Sequence, residues 1–141
     1  MRKQEIVDFA LGLKRTYNTD DPFKIADLFG IRVIMNSGYQ SRNFKAQAIK
    51  FKGYAPYIVI NEKYTESSKK VLCAHELGHI FLHDETLNNF ANVGGRLNME
   101  AEYEANLFTL ALLEEPDDLN VKMTDIAPYL LQNIVEDSVY V

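Results

Sequence analysis

Two histidines four residues apart, with a glutamate directly after the first, occur at His75-Glu76-Leu77-Gly78-His79. On a helix, positions i and i+4 lie on one face a turn apart, so both imidazoles can reach a single ion. Glu76 then lies beside the pair rather than between its members. From there a carboxylate can take the proton of a water that attacks a carbonyl polarised by the metal. The chemistry that this spacing fits is zinc-assisted hydrolysis of an amide. Two ionisable imidazoles and a carboxylate on an otherwise apolar helix are costly unless something compensates them, and a dication does so directly.

A catalytic zinc site needs a third protein ligand and one open position. His83 lies four residues beyond His79, on nearly the same face. On a rigid helix it is about 6 Å further along the axis and would have to bend back to reach the ion. Capping the helix end or lying at the cleft edge suits it better. The stretch MEAEYEANLFTLALLEEP offers Glu100, Glu102 and Glu104 instead. Glu102 lies on the side of Ala101 and Ala105, two of the segment's apolar positions, and precedes Asn106 by four residues. One face can thus carry a ligand and an amide that accepts the N–H of a metal-bound histidine and fixes its tautomer. Glu100 and Glu104 read as surface charge.

These residues need elements to hold them. Ser67 or Ser68 is a candidate N-cap for a long helix to about residue 84, and its sequence KKVLCAHELGHIFLH is apolar on most sides, as in a buried helix. A further helix is expected over about 98–114, stopping before Pro116, and another over 124–136 with Thr124 as cap. Upstream, apolar residues at Ile6, Val7, Phe9, Ala10 and Leu13 predict an amphipathic helix over 3–16. Asp21, Pro22 and Gly30 bracket a short helix over 22–29, and residues 31–35 read as a strand. Residues 46–52 and 55–60, split by Gly53, read as a hairpin. The order is helix, helix, strands, then three helices. That is an α+β pattern in which the histidine-bearing helix packs centrally on a small antiparallel or mixed sheet. The strand Tyr57–Asn61 directly precedes that helix. Two readings stand: an ordinary interior strand, or an edge strand whose Tyr57, Ile58, Val59 and Ile60 would line a cleft and pair with an extended peptide.

The chain has 141 residues, 47% of them hydrophobic and 25% charged, which suits one domain over 1–141 with a real core. No apolar stretch approaches the roughly 18 residues that span a bilayer. The N-terminus alternates charged and apolar residues and lacks the pattern of a signal peptide. A cytoplasmic protein without a membrane partner is expected. Residues 1–52 hold ten Lys/Arg against five Asp/Glu, and residues 53–141 five against fifteen. The net charge of -5 argues against nucleic acid as a direct ligand. Cys73 is the single cysteine, which excludes an internal disulfide and a cysteine cluster; in the run VLCAHEL it reads as a buried, inert thiol.

The segment AHELGHIFLH, followed by EYEANLFTLALLEEP, resembles the ImmA/IrrE family of metallopeptidases. The upstream DPFKIADLFGIRV and YIVIN match that family's lead-in, so the resemblance covers roughly residues 20–116. It implies a zincin-like fold, Zn2+ held by His75, His79 and Glu102, and Glu76 as general base. It also implies a substrate: ImmA-like members cleave helix-turn-helix repressors of phages and mobile genetic elements and so relieve repression. The family's usual LLMP is replaced by Leu112-Leu113-Glu114-Glu115-Pro116, at a helix end rather than at a ligand. The expectation is a zinc endopeptidase with a repressor as protein partner. The alternatives are a regulatory protein that binds a repressor without cutting it, or a toxin-antitoxin component of the same fold.

Overall fold

A computed structural model describes residues 3–37, 45–83, 86–89 and 99–113. Helix α1 covers Lys3–Tyr17 and buries Ile6, Val7, Ala10 and Leu13 along one stripe, the face that their spacing dictates. Helix α2 covers Pro22–Leu28. The Asp21 side chain accepts from the Phe23 N–H at 3.0 Å, and Pro22 occupies the first turn, where its missing N–H costs nothing. Gly30 ends α2 at φ +72°, with Gly30 N–H donating to Asp27 O and Ile31 N–H to Ala26 O. This is a Schellman closure, which needs a left-handed residue at that position. It turns the chain directly into β1, Arg32–Asn36.

Three more strands complete the sheet: β2 (Ala46–Lys50), β3 (Tyr57–Asn61) and β4 (Thr86–Asn89), in the order β1-β3-β2-β4. β1 and β3 run parallel, and the other neighbours are antiparallel. The sheet is mixed, and the fold is α+β as the element order predicts. The β2–β3 hairpin forms, with a longer loop than its apolar runs suggest. Residues 51–55 are exposed, and Gly53 takes φ +88°.

Of the two readings of β3, the edge strand is overturned and the interior strand holds. β1 pairs with it on one side and β2 on the other. Ile58 and Ile60 are fully buried core residues, with Tyr57 and Val59 half-buried, so none of the four lines an exposed edge. β4, which the sequence did not reveal, pairs only with β2 among the described residues and takes the edge position.

Helix α3 covers Glu66–Leu82 and is buried without a break from Val71 to Ile80. Its N-cap is Thr65, whose hydroxyl accepts from the Ser68 N–H at 3.2 Å; neither Ser67 nor Ser68 is the cap. Thr65 has the extended backbone that an N-cap needs, and capping there places Glu66 in the first turn, where the helix dipole favours an acid. Helix α4 covers Met99–Leu113. α3 packs against α4, against α2, and against β2 and β3, while α1 packs on α4. Leu72, Leu77 and Ile80 of α3 and Leu107 and Phe108 of α4 lie in the shared core, and each such side chain contributes about 1.5–3 kcal/mol on burial. The expected helix over 124–136 lies outside the described residues. Among the described residues, no helix is long and apolar enough to cross a membrane.

Candidate metal centre

His75 and His79 lie one turn apart on α3, with their rings edge to face at 4.8 Å between centroids. Their Nε2 atoms are 3.2 Å apart. What meets them is decided by Gly78. A Cβ at that position would lie 3.2 Å from the Cα and 3.3 Å from the carbonyl oxygen of Ala105, and 3.1 Å from Cδ1 of Phe108. The absent side chain lets α4 approach α3 backbone to backbone. Glu102, three residues before Ala105, reaches both histidines: Oε2 is 2.9 Å from His75 Nε2, and Oε1 is 3.3 Å from His79 Nε2.

These three residues form a potential metal-binding group, with donor atoms all within 4.8 Å of one another. Donors held about 2.0–2.1 Å from one tetrahedral ion lie about 3.3–3.4 Å from each other, close to the 3.2 Å and 3.3 Å contacts at His79. Two imidazoles and one carboxylate are also a donor set that suits zinc. The residues present therefore fit a divalent metal.

The electrostatics are those of a site with a strong need for positive charge. Burial pushes the His75 pKa down, but hydrogen bonding to Glu102, the charges of Glu76 and Glu102, and a hydrogen bond to Asn106 outweigh it, and the net shift is upward. At His79 burial also lowers the pKa; Glu102 opposes this, the neighbouring histidines reinforce it, and the net shift is downward. Burial would raise Glu102, yet its two imidazole partners hold its carboxyl well below the usual carboxylate range.

Glu76 is only 1% exposed, and neither carboxylate oxygen has a hydrogen-bond partner. Burial, with some help from the Glu102 charge, raises its pKa to about 7 against the pull of His75. The Ala48 N–H on β2 also lowers it slightly, from a position outside hydrogen-bonding geometry. An unpartnered carboxyl in a core is costly, and a shifted value near neutrality is what proton transfer requires. Its Oε2 is 4.0 Å from His75 Nε2.

The other expected residues divide. Asn106 lies close enough to His75 to help raise its pKa as a hydrogen-bond acceptor. His83 caps α3 through its backbone N–H, 3.0 Å from His79 O. Its ring meets Nδ1 of His79, not the Nε2 that faces Glu102, so it stands outside the donor group. Glu104 is not plain surface charge: its Oε1 is 3.0 Å from His83 Nε2. Glu100 is exposed, as expected. Cys73 is fully buried, and burial above all pushes its thiol pKa up, which makes it inert.

Two contributors escaped the sequence reading. Gly78 had a visible signal, since an isolated glycine inside a helical apolar pattern can mark close packing. Lys50 had none: from β2 its Nζ donates to Ile80 O at 2.8 Å and His83 O at 2.9 Å, which satisfies carbonyls at the end of α3.

Comparison with known proteins identifies the family. The family model Peptidase_M78, described as the IrrE N-terminal-like domain, matches residues 26–125. The chain is also similar to "Uncharacterized immunity region protein 2" of Bacillus phage phi105, at 31% identity over 103 residues. That match takes in 72% of this chain and 63% of the phage protein, so the chain spans less than two thirds of that relative's length. No solved structure matches the chain.

Proposed function

The chain belongs to the IrrE N-terminal-like domain family, Peptidase_M78, and from that premise we propose that it is a zinc-dependent endopeptidase that cleaves a protein substrate. The observation that carries this is the meeting of His75, His79 and Glu102 beside the buried, unpartnered Glu76. The packing of α3 on a mixed sheet supports a zincin-like fold, with residues 1–141 as one such domain. His75 and His79 from α3 and Glu102 from α4 would hold the metal. When bound there, zinc supplies Lewis acidity toward a scissile carbonyl and toward water.

The chain's own residues then do the proton work. Glu76 accepts a proton at its carboxylate as water attacks the carbonyl carbon, and returns it to the leaving amide nitrogen as the C–N bond breaks. With no other hydrogen bond to break, its carboxylate is free for this transfer. A positive charge nearby favours the ionised form in which it acts as base. Asn106 holds the His75 ring. An extended peptide would add to the sheet at β4 rather than β3, because β4 has an open side among the described residues and pairs through Asn88 with Ala48, whose backbone N–H acts on Glu76.

For the substrate class we propose a helix-turn-helix repressor of a phage or other mobile element. Support comes from the immunity-region name of the phage relative and from the family resemblance of the sequence. The test is incubation of zinc-loaded protein with purified helix-turn-helix repressors of phages and mobile elements, followed by mass spectrometry of the products. Wild type should generate two fragments and Glu76→Gln none. An intact repressor that co-purifies equally with both proteins would show binding without cleavage.

A further inference from the structure

His83 stands outside the donor group, yet its ring is held from both sides. Nε2 lies 3.0 Å from Glu104 Oε1, and Nδ1 lies 3.1 Å from Nδ1 of His79. Glu104 comes from α4 and His79 from the preceding turn of α3. A carboxylate has no proton to give, so His83 must donate from Nε2. A neutral imidazole protonated there has its lone pair on Nδ1 and can only accept at that atom. His79 must then donate from its own Nδ1, which leaves its lone pair on Nε2. That is the atom 3.2 Å from His75 Nε2 and 3.3 Å from Glu102. The reverse order would set a lone pair of His83 against the Glu104 carboxylate, or two lone pairs against each other across 3.1 Å; the order drawn here sets the His79 Nε2 lone pair 3.3 Å from Glu102 and holds only with the cation of the metal reading between them.

We infer that Glu104 and His83 form a hydrogen-bonded relay that fixes the proton of His79 on Nδ1 and so presents its Nε2 lone pair to a metal ion. Both are positioning residues that touch neither metal nor substrate. The inference rests on the metal reading of His75, His79 and Glu102 and adds how one ligand is prepared. It also gives α4 a second task. Besides contributing Glu102, it orients both ligand histidines, His75 directly through Asn106 and His79 through Glu104 and His83.

The test measures Zn2+ affinity by competition with a chromophoric chelator, and the visible spectrum of the Co2+-loaded protein. Wild type is compared with His83→Ala, Glu104→Ala and His83→Gln. A glutamine at 83 can accept from His79 through its carbonyl oxygen and donate to Glu104 through its amide, so it restores the relay without the ring. Both alanine variants should bind Zn2+ about 10–100-fold more weakly, the scale typical of partners of metal-bound histidines, and should shift the Co2+ bands. His83→Gln should recover most of the affinity. Wild-type affinity in both alanine variants overturns the relay. So does a loss in His83→Ala that glutamine does not restore while Glu104→Ala binds normally, because that pattern is packing alone. Glu104 is partly exposed, so its variant should fold and decides the matter if His83→Ala does not. Failure of wild type to bind either ion would instead remove the metal reading, and the relay with it.

Discussion

Replacing Gly78 with alanine adds one methyl group where α3 and α4 approach most closely. The new Cβ would stand 3.2 Å from Ala105 Cα and 3.3 Å from Ala105 O, below the ordinary contact range of 3.4–4 Å. Neither the Ala105 backbone nor Phe108 Cδ1, at 3.1 Å on a fully buried ring packed against Phe9 and Phe81, can readily move aside. The helices must therefore separate by a few tenths of an ångström. Overpacking of this kind costs about 1–3 kcal/mol, and the better helix propensity of alanine offsets about 1 kcal/mol of it. The net loss of stability should be up to about 2 kcal/mol, measurable by urea denaturation of the metal-free protein. The larger effect should be on the metal. Glu102 rides on α4 one turn from Ala105, and its contacts of 2.9 Å and 3.3 Å to the histidines have no slack. Zinc affinity should fall about tenfold or more, equivalent to about 1.4 kcal/mol. If Gly78→Ala gains stability and keeps wild-type zinc affinity, the helices have room, and the close approach is not what places Glu102.

Four other outcomes follow from the same geometry. Glu76→Gln should keep zinc binding and reduce cleavage by about 10²–10⁴-fold. Because the folded-state pKa of Glu76 is raised from 4.5 to about 7, metal-free wild type should lose stability relative to this variant as pH rises across that window; parallel stability curves from pH 4.5 to 7 would contradict the burial argument. Metal binding must displace the proton from His75, whose pKa is raised, so zinc affinity should climb with pH through the histidine range, and calorimetry in buffers of different ionisation enthalpy should register proton release; pH-independent affinity would exclude His75 as a ligand. Proline at Leu87 or Asn88 should reveal the substrate edge, since the N–H groups of adjacent strand residues point to opposite sides: one variant should lose cleavage while retaining zinc, whereas Ile58→Pro, inside the sheet, should unfold the protein.

Much of the site was legible because its chemistry is local. His75, Glu76 and His79 lie within five residues of one helix, and helical periodicity alone puts the two imidazoles together. Glu102 and Asn106 could be singled out because their own spacing places them on one apolar face. The helix boundaries followed from Asp21, Pro22, Gly30 and the run of apolar residues after Thr65, although a cluster of hydroxyl residues did not say which of them caps. Pairings between distant segments were not legible. The order of strands depends on which backbone edges meet, and YIVIN reads the same whether one neighbour or two flank it; the structure gives it two and leaves the edge to β4. Glu104 looks like any surface carboxylate until α4 is laid against the end of α3, and Lys50 like any strand lysine until β2 passes beneath it. The sequence by itself determined which atoms can bind a metal and move a proton, because residue type and helical period are properties of the chain. Only the tertiary structure decided that Glu102 meets His75 and His79, that His83 meets Glu104 instead, and that β4 lies at the edge among the described residues, because those depend on how closely two helices approach and on which strands meet.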